Sequence, residues 1–208
     1  TVVGMMLLHG PGRVSIGRGN HEAADQNQMY CGRGGRYGHD VGFHLDCDSK
    51  YGHDDGAQVY AACLEVFNAL PLFHIVHAPA ADRKAFVVHG GLFMEPAVTT
   101  SMLQRIHRFR PIPVGGTSLE DRLFVQAMWS DPRDMRGASM NDARGDIPCV
   151  FGESVTRDFC ERNGFDMVVR SHEVEMEGHC RWHSGRLVTI FSASGYMNVR
   201  RGTGSVSN

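Results

Sequence analysis

Three short apolar runs in this chain each stop abruptly at a polar residue able to bind a metal, and this repeated arrangement constrains the fold more than any other feature. The first, residues 13–16, follows the Pro11-Gly12 turn and leads through Gly17, Arg18 and Gly19 to Asn20 and His21. The second, residues 85–88, ends at His89-Gly90-Gly91, and the third, residues 165–169, ends at Arg170-Ser171-His172-Glu173. Apolar runs this short and bounded by glycine read as strands. Strands that end in short polar loops are where α/β proteins place their chemistry, because a rigid sheet fixes the loops that carry reactive side chains.

Helices fill the intervals. Val59, Ala62, Cys63, Val66, Phe67 and Leu70 recur at spacings of three and four before Pro71 stops them, which predicts an amphipathic helix. Further helices are expected over about residues 101–109 and about 154–163, the latter stopped by Gly164. Near the end, Arg181-Trp182-His183 and residues 187–191 flank Ser184-Gly185 and read as a hairpin. Residues 31–56 are rich in glycine, histidine and aspartate and repeat Tyr-Gly-His-Asp at Tyr37 and Tyr51. They read as an irregular surface insertion, with His39, His44 and His53 in a solvated loop rather than in a zinc site, because no cysteines stand at zinc-finger spacing.

The whole of residues 1–208 reads as one domain, since 208 residues at 42% hydrophobic composition suffice for a single core. A formal charge of −2 gives no basic footprint, so no nucleic-acid partner is expected. No apolar run approaches the roughly 18–20 residues of a membrane span, so no membrane partner is expected either. The six scattered cysteines form no C-x-x-C pair and suit a reducing compartment, hence an intracellular location, cytoplasmic or nuclear. The first residue is Thr1, and the apolar stretch at 2–8 begins without an N-cap, so the sequence reads as cut inside a helix.

Asn20, His89 and His172 offer one amide oxygen and two imidazoles, a set suited to a first-row divalent metal such as manganese, iron or zinc. His21, directly after Asn20, is placed to act beside that metal as a general acid. Arg144, before Gly145, suits either a phosphate clamp or a surface loop. Tyr196 reads as a wall of the site or as a packed aromatic.

The ordered set Arg18-Gly19-Asn20-His21-Glu22, Leu70-Pro71-Leu72, His89-Gly90-Gly91-Leu92, Trp129-Ser130-Asp131-Pro132, Arg144-Gly145, Phe151-Gly152, Arg170-Ser171-His172-Glu173 and Phe191-Ser192-Ala193 resembles the PPP family of serine/threonine protein phosphatases, which are calcineurin-like metallophosphoesterases. The last two motifs look closest to its EF-hand-containing and TPR-containing branches. The resemblance implies an α/β fold, a metallophosphoesterase-type β-sandwich flanked by helices, with two divalent metal ions (Mn, Fe or Zn) at the sheet edge. It implies hydrolysis of phosphoserine and phosphothreonine in phosphoprotein substrates by a metal-activated water. By the same resemblance Asn20, His89 and His172 ligate one metal, His21 protonates the leaving oxygen, Arg144 holds the phosphate and Tyr196 borders the substrate.

The family's two earlier motifs, Gly-Asp-x-His-Gly and Gly-Asp-x-Val-Asp-Arg-Gly, are absent from these residues, as is the asparagine usual at the position of Gly195. The resemblance therefore also implies a catalytic domain incomplete at its N-terminus and impaired on its own. Its alternative is a pseudophosphatase or binding scaffold of the same fold.

Overall fold

The computed structural model describes residues 2–10, 12–28 and 42–193. Helix α1 (Val2–His9) and the short α2 (Ala24–Asn27) precede α3 (Phe43–Tyr51) and the long α4 (His53–Ala69). Strands β1 (Phe73–Ala78) and β2 (Arg83–Val88) then form an antiparallel hairpin. Helices α5 (Thr100–Gln104) and α6 (Leu119–Trp129) lead to a second sheet of β3 (Asp131–Pro132), β4 (Ala138–Met140) and β5 (Cys149–Phe151). Helix α7 (Glu153–Asn163) returns the chain to the first sheet, which is completed by β6 (Met167–Arg170), β7 (His179–Trp182) and β8 (Leu187–Ile190).

The first sheet has the order β1-β2-β6-β8-β7. Its centre, β2-β6-β8, is parallel, and the outer strands β1 and β7 run antiparallel to their neighbours. Phe86, Val88, Val168 and Leu187 from this sheet share one buried cluster with Cys149 and Phe151 of the second sheet and with Phe159 and Cys160 of α7. The Phe86 ring stacks on Phe73 and meets Phe159 edge-on at a centroid distance of 5.0 Å. The two sheets are thus joined by one apolar core with helices packed around it.

Helix α4 forms as expected and Leu70 leaves it in an extended conformation ahead of Pro71, but its buried face is centred on Gly56 and Tyr60, and Ala62 and Val66 of the expected apolar face are exposed. Helix α7 ends as expected on Gly164 in the left-handed region, φ 69°. The expected helix over 101–109 is only one turn, Thr100–Gln104, capped by the Thr99 side chain on the Met102 amide. The hairpin joins β7 and β8 through a 3-10 turn at His183–Gly185.

Two further expectations are corrected. Residues 13–16 form no strand, because among the described residues no neighbour offers them a ladder; the Arg13 and Val14 amides turn back on the Gly10 carbonyl instead. The presumed irregular loop is helical over its described part, since residues 43–51 are α3 and His53 onward is α4. Phe43 packs on Tyr60 and Phe67 of α4, and Cys47, one turn further, is buried. That spacing of four gives the polar segment an apolar edge sufficient to dock it. His44 and His53 both face Asp48, with His53 Nδ1 3.3 Å from its carboxylate. His39 lies outside the described residues.

Candidate metal and phosphate site

Parallel pairing of β2 with β6 places Ala85 opposite Met167 and Val87 opposite Val169. The loops that leave these strands therefore emerge at the same edge of the sheet, and they carry His89 and His172. The Ser171 amide donates to the His89 carbonyl at 3.0 Å, tying the two loops together. The imidazoles meet edge to face with centroids 5.1 Å apart. His172 adopts φ 70°, a left-handed conformation that is costly for a side chain with a Cβ. Such strain concentrates at functional sites.

Asn20 reaches this edge from a loop fixed by Arg18. The Arg18 guanidinium is buried and donates to the carbonyls of Glu22, Arg108 and Arg110 and to Asn68 Oδ1. Burial without a direct carboxylate partner lowers its pKa to about 10, with Glu22 and Asp25 opposing the shift. The Arg18 amide donates to the Pro71 carbonyl at 2.9 Å, which anchors the loop to the segment entering β1. Glu22 caps it, accepting from the Gly19 amide at 2.8 Å. A Cβ on residue 19 would lie 2.6 Å from Glu22 Oε2 and 3.0 Å from His89 Nδ1, so glycine there lets backbone and imidazole meet.

Asn20 Oδ1 lies 2.7 Å from His89 Nε2. Both imidazoles are held neutral. Burial, with Arg170 and His21 adding to it, lowers the His89 pKa to about 4, and burial with His89 lowers that of His172 to about 3. A neutral imidazole is the form that ligates a metal. His172 Nε2 is buried with no hydrogen-bond partner. An orphaned buried nitrogen is costly unless something else occupies its lone pair. The donor chemistry therefore fits a divalent cation held by Asn20, His89 and His172. Among the described residues no group of three His, Cys, Asp or Glu side chains gathers as a metal cluster, so this set rests on its amide oxygen as well as its imidazoles.

Beside these three side chains sits a carboxylate hub. Asp131 is buried, with Oδ1 2.8 Å from Arg170 Nη2 and 4.0 Å from His172 Nε2. Its Oδ2 accepts from Asn141 Nδ2 at 3.0 Å and from Arg144 Nε at 3.2 Å. Burial alone would raise the Asp131 pKa, but Arg170, His172 and Arg144 together hold it below the usual carboxylate range. Arg170, fully buried, also donates to the carbonyls of Gly90 and Ser130 and to Glu173 Oε2. It joins the loops after β2, α6 and β6 in one network.

The six residues singled out from sequence are thus distributed as follows. Asn20, His89 and His172 converge, and Arg144 reaches them through Asp131. His21 is exposed beside Asn20, its carbonyl accepting from Asn27 Nδ2, and its charge bears on His89. Tyr196 lies outside the described residues. The Asp131–Arg170 hub is the part that local pattern does not reveal, because its members lie 39 residues apart. A charged residue inside Trp129-Ser130-Asp131-Pro132, directly after a buried helix, was the available signal.

Two parallel strand ends that present neutral imidazoles, an amide oxygen beside them and a guanidinium one carboxylate away define a metallophosphoesterase-type α/β domain. The calcineurin-like phosphoesterase model matches residues 5–176. This chain belongs to the calcineurin-like phosphoesterase family, and membership implies divalent metal cofactors. It is 38% identical over 196 residues to serine/threonine-protein phosphatase 5 of Homo sapiens, covering 94% of this chain and 34% of that protein. It is 37% identical over 187 residues to serine/threonine-protein phosphatase T of Trypanosoma brucei brucei, covering 89% and 34%. The chain therefore spans about a third of the length of these curated relatives. A solved serine/threonine phosphatase from Saccharomyces cerevisiae, described as similar to human phosphatase PP5, superposes with a TM-score of 0.75 at 28% identity, covering 94% of this chain and 52% of that one.

Proposed function

We propose that the protein to which this chain belongs hydrolyses phosphoserine and phosphothreonine in proteins. The observation that carries this reading is the meeting of Asn20, His89 and His172 at one sheet edge, with Arg144 attached to the same Asp131 that neighbours His172. The relatives' printed names, serine/threonine-protein phosphatases, supply the substrate class. Manganese, iron or zinc, held by Asn20, His89 and His172, would lower the pKa of a bound water and neutralise phosphoryl charge.

The chain's own residues do the rest. Arg144 gives only its Nε to Asp131. Among the described residues its Nη atoms make no hydrogen bond, and a guanidinium fork of this kind matches paired phosphate oxygens. Asp131 fixes the direction of that fork, and Arg170 fixes Asp131. His21, exposed beside Asn20, is positioned to protonate the departing seryl or threonyl oxygen. Tyr196 is assigned the border of the substrate by resemblance alone.

The test is release of inorganic phosphate from a phosphoserine peptide by the full-length protein supplied with Mn²⁺. Release that stops on chelation and returns with metal is the expected result. Release indifferent to chelator would contradict the reading. A complete lack of release with every metal tried would favour a catalytically impaired binding scaffold.

A further inference from the structure

The Asp131 hub carries more positive charge than its carboxylates neutralise. Arg133 Nη1 lies 2.8 Å from Glu173 Oε1, and its Nη2 lies 3.8 Å from Asp131 Oδ2. Arg144 pairs with Asp131, and Arg170 pairs with both Asp131 and Glu173. Three guanidiniums therefore share two carboxylates within one ion-paired cluster, which leaves one positive charge over. Glu175 stands nearby, but it makes no ion pair with the cluster among the described residues, and burial with Glu173 raises its pKa.

The surplus is unevenly placed. The Arg170 side chain is fully buried and its donors are taken by Asp131, Glu173 and two carbonyls. Arg133 and Arg144 keep 42% and 32% of their side-chain surface. They approach the same carboxylate oxygen of Asp131, whose other oxygen neighbours His172 Nε2. Arg133 is also held by the Pro132 carbonyl, so its guanidinium is fixed rather than trailing in solvent. Two exposed guanidiniums pinned on one buried carboxylate, beside the metal-ligating imidazoles, make a receptor for two negative groups set close together.

We infer that Arg133 is a specificity-determining residue, which with Arg144 selects phosphorylated substrates carrying a second acidic group next to the phosphorylated residue. This rests on the phosphatase reading of the site. Arg144 takes the phosphoryl oxygens, and Arg133 takes the neighbouring carboxylate, which exchanges part of its hold on Glu173 for the incoming anion. The contact is half exposed, so salt weakens it.

Two phosphoserine peptides, identical except that two aspartates follow the phosphoserine in one and two asparagines in the other, test this by binding to the full-length protein, kept from turning over by a chelator, at low salt. The wild type should prefer the aspartate peptide by about fivefold, the scale of a partly exposed ion pair. Arg133→Gln should bring that ratio to about one while both peptides still bind, and Arg133→Lys should restore most of it. Arg144→Gln should weaken both peptides alike. Absence of preference in the wild type, or an unchanged ratio in Arg133→Gln, overturns the inference alone. Failure of the wild type to bind either peptide overturns the phosphatase reading of the site, and the inference with it.

Discussion

Replacing Arg170 with methionine is expected to destabilise the chain by about 3–5 kcal/mol, the cost of stranding the partner of a buried ion pair. Methionine fills a similar volume, so the loss isolates the polar role from packing. It would leave the Asp131 carboxylate with Asn141, the half-exposed Arg133 and Arg144, and His172 at 4.0 Å, and would strip a donor from the carbonyls of Gly90 and Ser130. Each stranded buried acceptor adds its own desolvation penalty. Domain stabilities lie near 5–15 kcal/mol, so the variant should sit close to the threshold of folding. Arg170→Lys should recover only part of the loss, because an ammonium cannot reproduce a fork that serves Gly90, Ser130, Asp131 and Glu173 at once. Denaturant midpoints for the three proteins decide it. A methionine variant within 1 kcal/mol of wild type, on the order of an ordinary surface substitution, would show that the hub is not what holds the three loops together.

The second large effect concerns turnover. His21→Asn in the full-length protein is expected to lower kcat for phosphoserine peptides by about 10²–10⁴, the usual contribution of a positioned proton donor. His21 is exposed, and its backbone carbonyl, not its ring, accepts from Asn27 Nδ2. The substitution should therefore leave the Asn20 loop in place. That loop is held by Arg18, which the substitution does not touch. KM and metal content should change little, and the defect should shrink for substrates whose leaving group needs no proton. Rates equal to wild type on phosphoserine would remove the general-acid role.

Much of this arrangement is legible in the sequence because it is local. Helix α4 is legible as a helix stopped by Pro71, although Ala62 and Val66 of its apolar pattern are exposed and Gly56 and Tyr60 are buried instead, and α7 shows its stop because Gly164 must adopt positive φ. The imidazoles His89 and His172 are legible as strand ends because β2 and β6 are short, apolar and followed by polar loops. Helix α6 is not, for a physical reason. Leu123, Phe124, Val125, Gln126, Ala127 and Met128 are all buried, so no polar face remains to display a period. Its start did carry a signal in the Ser118 cap on the Asp121 amide, with Glu120 and Asp121 in the first turn. Residues 13–16 mislead in the opposite sense, since an apolar run becomes a strand only when another strand accepts its hydrogen bonds. The network of Asp131, Arg133, Arg144, Arg170 and Glu173 is invisible to any local pattern. Its members come together only when two sheets and a buried helix close around one core.

The proposed divalent-cation site of Asn20, His89 and His172 is tested most directly by calorimetric titration of Mn²⁺ or Zn²⁺ into the purified chain. The predicted result is one weakly bound cation per chain, with heat lost in both His89→Ala and His172→Ala and binding weakened as pH falls and the imidazoles protonate. One cation bound with unchanged affinity by both alanine variants would place the metal elsewhere and contradict the account.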